Sequence, residues 1–222
     1  MEEILNFLRL VRVNNNREWF HANKDLYLAA KDKFESLAKE ILAGVQAFDA
    51  SCRELDLSDC LYRFYRDTRF SKDKTPYKTH MGVYICPKGK KSMWAGYYFH
   101  IEPESDYLGS HMLCCGAYMP DNEMLKVLRE DIFTNGEEYV KAVKQAKHFT
   151  LCSEPSLKKL PKEFAESPYG EYIKLKAHLL QLDVNTQFLM QDNLAQNVVK
   201  EFKTCRNYVA YLNRAFSFTG NY

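Results

Sequence analysis

The chain has 222 residues, 46% of them hydrophobic and 27% charged, the balance of an ordinary globular protein able to bury about 70% of its unfolded surface without a disulfide or metal. Its net charge of only +2 argues against a dedicated nucleic-acid binder, which carries a strongly basic domain. The cysteines (Cys52, Cys60, Cys86, Cys114, Cys115, Cys152 and Cys205) are odd in number and form no CxxC. That spacing excludes a zinc ribbon and a thioredoxin-like motif and predicts reduced thiols in the cytoplasm.

The N-terminal run MEEILNFLRLVRV starts acidic and is interrupted by Asn6 and Arg9, unlike a signal peptide. No apolar run reaches the roughly 18 residues of a membrane span. Ile4, Leu5, Leu8 and Val11 predict a short helix. Asn14 to Asn16 break it, and Asn15 followed by Glu18 resembles a capping box that starts a second one. Trp19 and Phe20 read as core anchors. From Leu26 to Phe48 the apolar positions keep a 3.6-residue period, which predicts a long helix.

Residues 60–116 carry strand signals: 81–86, 95–102 and 107–117 are short, β-branched or aromatic and separated by turn residues, and 61–70 reads as a strand followed by a turn at 71–76 and re-entry into a strand over 77–85. The loop 87–91 suits a hairpin, with Gly89 free to take positive φ, and 102–106 is a second tight connection. Consecutive strands with short loops imply an antiparallel meander. Helices resume after Pro120, first through Leu125, Leu128 and Ile132 and then over 137–147. The stretch 150–168 holds three prolines and reads as loop, and 172–182 is open between helix and strand. Leu194, Val198, Phe202, Cys205, Val209, Leu212 and Phe216 predict a C-terminal helix. The whole predicts one α+β domain over 1–222: an antiparallel sheet of about four strands, flanked by a long N-terminal helix and a C-terminal helix on one face.

The most distinctive stretch is YRFYRDTRFSKDKTPYKTH at 62–80. It holds six cations against Asp67 and Asp73, a local charge of +4 in a chain of +2. Read as a strand, Arg63, Tyr65, Asp67 and Arg69 share one face. Tyr62, Phe64, Arg66 and Phe70 share the other, which predicts a buried Arg66 paired with a carboxylate and a more exposed Arg69. Arginine's planar fork matches carboxylate and phosphate. The competing reading is an internal network, in which the two aspartates pair with these cations and fix a loop.

These residues also carry a resemblance. The pattern RxxRDxRFxxDKxxY, here Arg63, Arg66, Asp67, Arg69, Phe70, Asp73, Lys74 and Tyr77, is similar to the hallmark of the bacterial domain-of-unknown-function family 2461. NNREWF with Asn23, Lys24 and Tyr27, GYYFHIEP at 96–103 and LKKLPKEF at 157–164 resemble the same family. The resemblance implies a single-domain bacterial protein, with fungal relatives and no assigned active site to carry over.

Other chemistry is sparser. Tyr98, His100 and Glu102 share one strand face, and His100 and Glu102, roughly 7 Å apart at Cα, could orient each other as a general base and its partner. The alternative is a polar, half-solvated sheet face. Cations around Asp67 and Asp73 would repel a metal, and His111 with Cys114 and Cys115 is a poor zinc set, because adjacent strand residues face opposite ways. No metal and no cofactor are expected.

The leading expectation is a cytoplasmic protein that binds a small anionic ligand, carrying phosphate or carboxylate, and an enzyme acting on such a ligand is one form of it. Arg63, Arg66, Arg69 and Lys74 would hold the anion, with Tyr77, Lys78 and His80 completing the set, and Asp67 would orient the arginines or act as a base. The alternatives are sequence-tolerant nucleic-acid binding, with bases stacked on Tyr62, Tyr65 or Tyr77, and a protein-interaction module whose Arg/Asp network is purely structural.

Overall fold

The computed structural model describes residues 1–104 and 111–219. The chain opens with helices α1 (Glu2–Val13), α2 (Arg17–Ala22), the long α3 (Lys24–Phe48) and the single turn α4 (Leu57–Cys60). Strands β1 (Met81–Ile85), β2 (Gly96–Ile101) and β3 (His111–Ala117) follow, then α5 (Asn122–Gln145) and the short β4 (Thr150–Leu151). The turn α6 (Gly170–Ile173), strand β5 (His178–Val184), the turn α7 (Thr186–Leu189), α8 (Leu194–Thr204) and α9 (Arg206–Phe216) complete it. The expected connection at 102–106 and the start of the strand at Tyr107 lie partly outside the described residues.

The five strands form one antiparallel sheet in the order β1-β2-β3-β5-β4. The open stretch at 172–182 resolves as strand, since His178 to Val184 pairs along all of β3. One sheet face presents Met81, Val83, Ile85, Tyr97, Phe99, Ile101, Leu113, Cys115 and Leu180 to the core. Helix α3 covers it at β1, and α8 and α9 cover it at β3. The expected C-terminal helix is two helices that meet at Cys205. The two helices expected within 121–147 are one, kinked at Asn135, whose φ/ψ leave the helical region.

One departure from the sequence reading has a local cause. Residues 61–70 are not a strand: only isolated bridges Leu61↔Val83 and Tyr65↔Tyr77 tie this stretch to the sheet and to itself. Asp67 Oδ1 accepts the backbone N–H of Arg69 (3.2 Å) and Asp73 Oδ1 that of Thr75 (2.9 Å). Aspartate side chains that capture nearby amides favour turns over ladders. Phe70, expected on the buried face, is 95% exposed. The cap of α2 also sits one residue later than expected, with Asn16 accepting from the Trp19 amide (2.9 Å). Asn15 is freed to clamp Tyr77: its Nδ2 donates to the Tyr77 carbonyl (2.9 Å) and its Oδ1 accepts the Tyr77 amide (3.0 Å).

That clamp and an aromatic cluster anchor the loop. Tyr77 is buried and stacks on Phe20, centroids 3.9 Å apart and planes at 14°. Phe7, Tyr27 and Phe64 close around the pair. The loop therefore enters β1 from a fixed point.

Candidate functional site: a cationic cleft over a buried histidine–glutamate pair

The basic stretch divides in two. Its middle is tied to itself. Arg69 donates Nε (3.0 Å) and Nη2 (2.8 Å) to Asp67, the two-pronged geometry that arginine and carboxylate favour. Asp67 is held at about 2, first by the hydrogen bond from the Arg69 side chain and then by the Arg69 amide. Arg66 bonds Asp73 and the Thr75 hydroxyl, and Lys74 Nζ donates to the Thr68 carbonyl (2.9 Å). Arg66 is half-buried, at 27% side-chain exposure, and not enclosed by Tyr62 and Phe70 as the strand reading had it. Arg69 is the more exposed of the two, yet its fork is already filled.

The two ends of the stretch face a cleft of about 430 Å³ between α3 and the loop. Tyr27, Phe34, Leu61 and Phe64 form its apolar wall; Tyr62, Arg63, Tyr65, Lys78 and His80 line the rest, above Gly82 of β1. Lys31 and Glu35, also in the wall, neutralise each other at 3.0 Å. Arg63 and Lys78 remain. Arg63 lines the cleft and also pairs loosely with Asp67, Nη2 to Oδ2 at 3.8 Å. Lys78 Nζ sits 5.2 Å over the Tyr62 ring, and no carboxylate among the described residues pairs with it. Partial burial lowers its pKa, and Arg63 lowers it further.

Behind the cleft, on the sheet face opposite the helices, lies a hydrogen-bonded series. The register pairs Gly82 with His100 and His100 with Met112. His100 is fully buried and Glu102 nearly so. The Tyr98 hydroxyl meets His100 Nδ1 at 2.8 Å, His100 Nε2 meets Glu102 Oε2 at 3.2 Å, and the Thr79 hydroxyl donates to Glu102 Oε1 at 2.5 Å. Burial alone would raise the Glu102 pKa, but hydrogen bonds from His100 and Thr79 outweigh it and hold it at about 2. An ionised Glu102 only accepts, so His100 Nε2 carries the proton of that hydrogen bond. Glycine at 82 makes this possible: a Cβ there would lie 2.6 Å from the Tyr98 hydroxyl. His111 completes the surroundings, its Nδ1 accepting the Glu102 amide at 3.2 Å.

His80 joins the two parts. It lines the cleft and lies against His100, ring centroids 4.8 Å apart. Burial, then the neighbouring His100, depresses its pKa to about 4, so it is neutral at pH 7 and both a donor and an acceptor are available. The fold thus brings Lys78, His80, His100 and Glu102 to one place, while Arg66, Arg69, Lys74 and Asp67 do not line the cleft. Tyr77 belongs to the core. Thr79 and Gly82 were missed from sequence; their only signal is strand alternation once the β1–β2 register is known. Among the described residues His111 is not gathered with Cys114 and Cys115 into a metal-sized cluster.

An α+β scaffold with a cationic loop closing one sheet edge is thus the class of protein the geometry defines. Within that class, the chain belongs to the family described as conserved hypothetical protein (DUF2461), whose model matches residues 3–211. No curated protein and no solved structure matches the chain significantly.

Proposed function

We propose that this protein binds a small ligand bearing a phosphate or carboxylate in the cleft beneath Tyr62 and Tyr65, with Lys78 and Arg63 as its cationic contacts and His80 as a neutral hydrogen-bonding group. The observation that carries the reading is Lys78: a half-buried ammonium beside a second cation, with no carboxylate partner among the described residues. Partly desolvated like charges are costly, and an anion entering the cleft would relieve that cost. The apolar wall and the tyrosines suit an organic body on the ligand. Arg66, Arg69 and Lys74 take no part in this reading, because Asp73, Asp67 and the Thr68 carbonyl already occupy them. An enzyme acting on the bound ligand is one form of this proposal. A reducing, cytoplasmic setting fits the seven free thiols.

The test is calorimetric titration with inorganic phosphate and a panel of organic phosphates and di- and tricarboxylates. Lys78→Met is expected to remove binding of the best ligand, while Arg69→Ala leaves it unchanged. Equal affinity in Lys78→Met would overturn the proposal. If instead single-stranded oligonucleotides bind with a steep salt dependence, the cations meet a polyanion along the surface and not one anion in the cleft.

A further inference from the structure

We infer that His80, His100 and Glu102 form a binding site for a divalent first-row transition-metal ion at the floor of the cleft. Each offers one ligand atom, and the three lie within 4.8 Å of one another. This inference rests on the sheet register and not on the anion reading above. Residues 80, 82 and 84 of one strand edge and 98, 100 and 102 of the next share a face, so His80 is delivered to the buried pair from across the β1–β2 pairing.

The geometry suits an ion better than a structural network alone. His100 Nε2 and Glu102 Oε2, 3.2 Å apart, could both reach an ion at about 2.1 Å, the ordinary bond length to nitrogen or oxygen. The outer supports are in place: Tyr98 sits on the far nitrogen of His100 and Thr79 on the far oxygen of Glu102, and such partners fix ligand orientation in metal sites. Metal binding would shift the ring proton from Nε2 to Nδ1, which frees the Nε2 lone pair for the ion and lets Nδ1–H donate to the Tyr98 oxygen. His80 forms no hydrogen bond with another described residue, although it is half-buried against His100. Its lone pair is therefore open to a ligand entering the cleft. Two imidazoles and a carboxylate, without thiolate, select zinc, iron(II), cobalt or manganese over calcium, magnesium or copper(I). Three protein ligands leave a position open toward the cleft, the arrangement of reactive sites as opposed to closed structural ones. Arg63 and Lys78 would oppose a bare cation, and Glu102 offsets part of this.

The experiment uses the untagged full chain, stripped with chelator and titrated with Co²⁺, then Zn²⁺ in competition. The wild type is expected to bind one Co²⁺ saturably, with visible ligand-field absorption and no thiolate charge-transfer band. His80→Ala should lose that binding and still melt cooperatively, since His80 makes a ring contact with His100 but no hydrogen bond to another described residue. Thr79→Val should weaken affinity by about 10–100-fold, as loss of a ligand-orienting partner does. No saturable binding, binding that survives in folded His80→Ala, or a thiolate band that reports cysteine ligation would each overturn the inference.

Discussion

Tyr77 shows how much one residue of the basic stretch contributes to the fold. It is 2% exposed, stacked on Phe20 and clamped at both backbone groups by Asn15. Tyr77→Ala empties a close-packed aromatic site and should cost about 3–5 kcal/mol, read as a lower urea midpoint at unchanged m-value. Arg69 contributes the opposite. Its pair with Asp67 lies in solvent, where such pairs add little. Arg69→Ala should melt with the wild type and keep its affinity for any anion bound through Lys78. A large drop in melting temperature would mean that the Asp67 turn organises the whole loop.

At the scale of elements, α3 and α8 pack closely because Gly44 presents no side chain. A Cβ there would lie 2.3 Å from Val199 Cγ2 and 2.9 Å from Cγ1. On an isolated helix, Gly→Ala gains about 1 kcal/mol of propensity. Here overpacking against a β-branched side chain costs about 1–3 kcal/mol and decides the sign. Gly44→Ala should therefore destabilise by about 1 kcal/mol, and restoring space with Val199→Ala in the same chain should return the propensity gain. A stabilised single variant would show that the two helices separate easily.

Across the whole molecule, buried histidines set the acid limit of stability. Burial depresses His178 to about 3, with Arg129 adding to it, and His80 to about 4. An unfolded histidine titrates near 6.5. Below that value the unfolded chain binds protons the native chain refuses. The stability is complete above about pH 6.5 and is lost as pH falls toward 4, by up to about 1.4 kcal/mol per pH unit for each histidine. His178→Gln should flatten the profile in that window, as measured by denaturant midpoints from pH 7 to 4. Below about pH 4 the depressed carboxylates, Glu102 among them, protonate in the unfolded chain first and continue the same trend. The thiols respond to burial as well: Cys52, Cys60 and Cys114 are pushed up to about 12 and Cys86 to about 11, in each case chiefly by desolvation. Native protein at pH 8 should react with Ellman's reagent mainly at half-exposed Cys152, and all seven thiols should react in guanidinium.

Elements whose burial is periodic were readable from the residues alone. The 3.6-residue stripe of α3 and the one shared by α8 and α9 were legible because each helix faces one core along its length. Alternation in β2 likewise separated Tyr97, Phe99 and Ile101 from Tyr98, His100 and Glu102, and the charged motif carried the family. The site depended on packing in three dimensions. Residues 61–70 alternate like a strand, but Asp67 and Asp73 take the amides of Arg69 and Thr75 for themselves, and among the described residues no strand pairs along this stretch beyond isolated bridges. The cations of one motif consequently part: Arg66 and Arg69 close on local aspartates, Arg63 lines the cleft with a looser contact to Asp67, and Lys78 opens on the cleft without a carboxylate partner among the described residues. His80 and Glu102 stand 22 positions apart in the chain, and their meeting depends on which residue of β1 faces which of β2. Register is fixed by the shared core beneath both strands, a property of the packed sheet and not of either strand alone.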